Sequence, residues 1–192
     1  MLLAPAPATT RRNIPPGFID FASSSFDAIL HQRHKVQTGP GQAEEEKDYE
    51  KYPPVIQRRA SHLPDLLPFI EMITEKCNVQ PVHLVMALIY VQRFRESLPE
   101  GYKPESEAAH RIFAASLLLA SKYSDDYYLS TKHLVRATGD VWSIKEMTRM
   151  ELALMSFLKW NLHIDREEIT AFLRNLHFDV QSILPDNLPD YV

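Results

Sequence analysis

Residues Ile112 to Tyr123 read Ile-Phe-Ala-Ala-Ser-Leu-Leu-Leu-Ala-Ser-Lys-Tyr, and this run decides the fold. It stays apolar through more than two helical turns and closes on a lysine. A helix that is apolar on every side is stable in water only when other helices wrap it. A second such helix is predicted over Ile144 to Trp160, where Glu151 stands among Met147, Met150, Leu154 and Met155. A lone acid in that company is costly unless it meets a cation or a donor. Lys122 is the obvious one. Two packed helices offering a lysine and a glutamate from apolar surroundings suggest a surface built to hold another protein.

Composition sets the outer bounds. The 192 residues allow one ordinary domain with tails, and the 45% apolar fraction is enough for a real core. The longest unbroken apolar run, Leu84 to Val91, falls far short of the roughly 20 residues that span a bilayer. Only Leu2-Leu3-Ala4 precede the first proline, so the apolar centre of a secretory signal is missing. The single cysteine, Cys77, excludes an intramolecular disulfide and gives no metal-site spacing, which suits a reducing interior. A net charge of −4 gives no support for binding nucleic acid. The expectation is a soluble intracellular protein of the nucleus or cytoplasm, with no membrane partner.

Proline placement divides the chain. Seven of the fourteen prolines lie before residue 55, and none lies between Glu105 and Leu184. Residues 1–60 also hold the Gly39-Pro40-Gly41 breaker and the charged run Glu44 to Lys51. Such composition buries too little surface to offset its ordering entropy, so a flexible arm is expected there. Within it, Phe18 to Phe21 and Phe26 to Leu30 read equally well as a short docking segment or a loosely held helix. Residues 61–178 read as the folded domain, and residues 179–192 as a tail.

Five helices and a flanking sixth are predicted in that domain. The first lies within Leu63 to Cys77, with Leu66, Leu67, Ile70 and Ile73 at near-helical spacing. The second runs from Pro81, a good first-turn residue, to Leu98. The third starts near Pro104 or Glu105 and reaches about Tyr123. A short fourth starts at Ser130 or Thr131 and stops at Gly139. The fifth opens on Ser143-Ile-Lys-Glu146, a capping-box pattern, and ends near Trp160. Asp165-Arg-Glu-Glu168 opens the sixth, which reaches Leu176. No strand-like alternation competes. The class is all-α.

Catalytic chemistry finds no residue set. His31 and His34 have no third ligand nearby. The five glycines are isolated or stand beside proline, so no phosphate-cradling loop is present. Asp125-Asp126 and Glu44-Glu45-Glu46 read as solvated loop acids, and Arg58-Arg59 as a solvated basic pair. There is no Ser-Pro or Thr-Pro dipeptide for a proline-directed kinase. No catalysis, cofactor or metal is expected.

The helical motifs do carry a resemblance. Leu117-Leu-Leu-Ala-Ser-Lys-Tyr123 resembles the third-helix signature of the cyclin box. Met150-Glu-Leu-Ala-Leu-Met-Ser-Phe-Leu-Lys-Trp-Asn-Leu162 resembles its fifth-helix signature. The two come in order at a fitting separation, and Gln92-Arg93-Phe94 sits where the second helix carries Arg-Phe. The likeness covers Leu63 to Ile164, and the implied fold is a single cyclin-box five-helix bundle with a flanking helix. Within cyclins the likeness is to the fungal PHO/PCL type, on Leu158-Lys-Trp160-Asn-Leu162 and Asn78-Val-Gln80. Mitotic-type cyclins pair an arginine of the first helix with an aspartate before Arg-Phe. Here that position is Gln92 and the first helix has no arginine, so both halves of the pair are replaced together. The chain also ends before a complete second cyclin fold.

The resemblance implies a regulatory subunit that binds and activates a cyclin-dependent kinase as a heterodimer, in cell-cycle control. Lys122 and Glu151 would hydrogen-bond to main chain around the kinase C-helix, and Leu119, Tyr123, Met155, Trp160 and Leu162 would supply the apolar bed. Blander readings stand beside this one. Lys122 also suits a helix end, Glu151 a core pair with Arg111 or Arg149, Trp160 and Met155 the core, and Tyr127-Tyr128 loop packing. A cyclin-fold scaffold or transcription-factor-like module without a kinase is the alternative function.

Overall fold

The structure, a computed structural model, describes residues 14–28, 63–99, 105, 107–125 and 128–184. The expectations at His31 and His34, residues 39–51, Arg58-Arg59, Asp126, Tyr127 and residues 185–192 lie outside the described residues. The described elements are eight helices: α1 (Pro16–Asp27), α2 (Leu66–Lys76), α3 (Pro81–Ser97), α4 (Ala108–Ser124), α5 (Thr131–Ala137), α6 (Ile144–Phe157), α7 (Arg166–Asn175) and α8 (Val180–Ile183).

The centre is the pair α3 and α4. Every residue from Pro81 to Val91 is buried, as is every residue from Phe113 to Ser121. Neither helix has a solvent face over those stretches, so each is fully wrapped, as an all-round apolar helix must be. They run antiparallel. His83, in the first turn of α3, sets Nε2 3.0 Å from Oδ2 of Asp125, which follows the last turn of α4. Helix α6 packs along α4, α5 bridges α2, α4 and α6, and α7 leans on α3.

Local signals placed most of these elements. Ser130 caps α5 by accepting from His133 N, and Gly139 exits it with φ of 76°. In α6 the capping box is complete, since Ser143 Oγ accepts from Glu146 N while Glu146 accepts from Ser143 N at 2.8 Å. Donation from the Ser143 N–H, and then from its Oγ–H, holds the exposed Glu146 carboxyl below its usual range, with nearby Arg111 and Arg149 adding to the effect.

Within the expected arm, the segment that holds α1 packs on the bundle. Phe18, Ala22 and Phe26, at helical spacing on α1, have no exposed surface. Phe26 meets Phe113 of α4 edge-on at 5.2 Å, and Phe18 meets Phe178 edge-on at 4.9 Å. Three apolar side chains on one stripe bury enough area to hold a helix of this length against the core. Asp179 caps α8, and Ile183 and Leu184 are buried.

Cys77 closes α2 half-buried, and burial pushes its thiol up to about 11 against the opposing pull of the Lys76 ammonium. With a folded pKa above the unfolded one, its contribution to stability is complete below about 8.5 and is lost as pH climbs toward 11. At pH 8 a disulfide reagent should therefore label native Cys77 roughly a hundredfold more slowly than an ordinary thiol. Labelling at the free-thiol rate, before unfolding, would contradict this packing.

Candidate functional site: the α4–α6 face

Lys122 occupies the last turn of α4, and Glu151 lies midway along α6. Their side chains meet, with Lys122 Nζ 2.8 Å from Glu151 Oε2. The lysine side chain keeps 30% of its surface exposed and the glutamate only 7%. Glu151 therefore finds its cation in Lys122. Arg111 pairs instead with Glu105 and Glu107. The pair sits at the surface of the bundle, reachable through the lysine, with the carboxylate sunk behind it.

Around the pair the apolar residues divide by depth. Leu119, one turn before Lys122, is 4% exposed and forms a floor. Met155, one turn after Glu151 on the same stripe of α6, is half-buried, as is Leu162. Tyr123 is 41% exposed and Trp160 is 66% exposed. That settles the core reading for Trp160 against it and leaves Met155 between the two. Leu152, next to Glu151 in sequence on α6, is half exposed. Tyr128 is exposed as well.

Trp160 owes its exposure to how α6 ends. The helix stops at Phe157, earlier than the apolar pattern implied. Lys159 N bonds Ser156 O and Trp160 N bonds Met155 O, both at 3.0 Å, which is a Schellman closure. Lys159 and Trp160 take φ angles of 52° and 61°, a left-handed backbone usually left to glycine. The chain turns away from the helix axis there and carries the indole outward. Tyr123 reaches the same loop, its hydroxyl 3.4 Å from His163 Nδ1. The α4 end thus touches the α6 midsection through Lys122 and the loop after α6 through Tyr123.

Sequence comparison agrees with this architecture. The cyclin N-terminal domain model matches residues 41–163, more than half of the chain. PHO85 cyclin-1 of Saccharomyces cerevisiae is 28% identical over 120 residues, covering 62% of this chain and 43% of that protein. Cyclin-P3-1 of Oryza sativa subsp. japonica is 29% identical over 118 residues, covering 62% of this chain and 48% of its own. Cyclin-U4-1 of Arabidopsis thaliana is 27% identical over 120 residues, covering 62% and 58%. The chain spans about half the length of these curated relatives. No solved structure matches it. Among the described residues, no helix is long and apolar enough to cross a membrane.

Proposed function

The chain belongs to the cyclin family, and on that premise we propose that it is the regulatory subunit of a cyclin-dependent kinase of the PHO85-associated type. It forms a heterodimer with that kinase, supplies no catalytic group and acts in cell-cycle control. Such a kinase is active when its C-helix swings inward and a helix glutamate pairs with the lysine that holds the ATP phosphates. A subunit that binds the inward state better shifts the population toward it.

One observation carries the reading. A lysine and a nearly buried glutamate pair at 2.8 Å where the end of α4 meets α6, and Tyr123, Leu152 and Trp160, close to them along the chain, are exposed. Exposed aromatic side chains around a desolvated charge are typical anchors of a protein interface. Lys122 and Glu151 offer donors and acceptors to main chain of the incoming C-helix, over a floor of Leu119, Met155 and Leu162. The alternative, a scaffold or DNA-binding module without a kinase, has no comparable feature behind it among the described residues, and the net charge of −4 opposes phosphate contact.

The test mixes the purified chain with a PHO85-type kinase and a peptide substrate. A one-to-one complex with stimulated phosphorylation is expected. No complex and no stimulation, together with a duplex-DNA gel shift at physiological salt, would contradict the proposal and favour the alternative.

A further inference from the structure

The loop that presents Trp160 and Leu162 is held by its own backbone bonds and also from outside. It leaves α6 through two left-handed residues, neither of them glycine, a backbone costly enough that contacts from elsewhere add to the local closure. Those contacts come from α3. Arg93 Nη1 donates to the Asn161 carbonyl at 2.9 Å, and Nη2 donates to the His163 carbonyl at 3.0 Å. Between them, the Tyr90 hydroxyl donates to the Leu162 carbonyl at 2.8 Å. Three consecutive carbonyls of the loop are thereby fixed by two side chains one turn apart.

The clamp is itself braced. Glu168, on α7, places both carboxylate oxygens 2.7 Å from Arg93 Nη2. A planar guanidinium with donors in fixed directions can hold two carbonyls and a carboxylate at once, which a lysine ammonium cannot do with the same geometry. Tyr90 has no exposed surface. Burial, then the neighbouring Tyr123 and Glu168, push its phenol well above the ordinary range, while Arg93 opposes the shift. The hydroxyl therefore stays protonated, and stays a donor, across all physiological pH.

We propose that Arg93, braced by Glu168, is the positioning residue of the partner-binding face, fixing the loop so that Trp160 and Leu162 are preset for their partner. The proposal rests on the kinase-binding reading of that face. Arg93 acts by sparing the complex the ordering cost of a loose loop, which is the usual source of affinity from preorganisation.

The experiment reads three quantities on the full chain: affinity for the kinase by titration, amide exchange at Trp160, Asn161 and Leu162, and the thermal midpoint. Arg93→Gln should speed exchange at those loop amides while α3 and α4 keep their protection. It should also weaken kinase binding about 30-fold, the loss expected when one anchor is no longer engaged. Arg93→Lys keeps the charge but should recover little affinity. Glu168→Gln, at a half-exposed position, spares the fold and should give a smaller loss of the same kind. Unchanged loop exchange in all three variants would overturn the clamp. Faster loop exchange with undiminished affinity would overturn its role in binding. If the wild-type chain bound no kinase, the functional reading would fall while the exchange arm still judged the clamp.

Discussion

Lys122→Ala is expected to destabilise the fold by about 2–3 kcal/mol, more than a Lys122→Met, Glu151→Leu double change that removes both charges. The carboxylate of Glu151 lies between Met147 and Leu154 on the buried stripe of α6, with 6% of the residue exposed. Taking away the ammonium at 2.8 Å leaves that charge without its cation and too deep for full hydration. Taking away both removes the desolvation cost along with the attraction. The check is a double-mutant cycle by urea denaturation, whose coupling should be clearly non-zero. Additive single changes would mean that the pair is incidental to the fold. The double variant should still fold, yet lose kinase binding by roughly a hundredfold or more, because main-chain groups of the partner would be left unpaired.

Phe26→Ala should cost about 3–5 kcal/mol, the range for deleting a fully buried aromatic ring. Phe26 has no exposed surface and stands edge-on to Phe113, which in turn meets Phe69 at 6.0 Å. Helix α1 touches α2, α3 and α4, so the cavity would open at the junction of three elements with little room to collapse. Urea denaturation of Phe26→Ala beside Tyr128→Ala, whose side chain is exposed, separates burial from ring size. A loss below about 1 kcal/mol at Phe26 would show that α1 is not part of the cooperative unit.

That helix also marks where the sequence stopped being legible. The stripe Phe18, Ala22, Phe26 is visible at helical spacing, but prolines, a breaker and a charged run surround it and dominate the composition. Whether it docks depends on a surface formed by residues far along the chain, which periodicity cannot see. The box itself was readable because its signals are local: Pro81 in a first turn, Ser143 with Glu146, Gly139 at an exit, and apolar runs too continuous for a surface helix. The Lys122–Glu151 pair was readable for a related reason, since an acid among methionines and leucines needs a cation. The end of α6 was not. Its left-handed exit falls on Lys159 and Trp160, and nothing in those residue types announces it. Trp160 therefore read equally as core or contact. Arg93 stood in a quoted motif without a role, because its partners lie about seventy residues downstream.

The central claim is that this face grips a kinase, and Trp160 tests it most directly. The residue is 66% exposed, so Trp160→Ala should leave stability within about 0.5 kcal/mol of wild type. Titration of that variant against a PHO85-type kinase should show affinity about 30-fold weaker or worse, as for the loss of a central aromatic anchor. Full affinity in a properly folded Trp160→Ala chain would contradict the account.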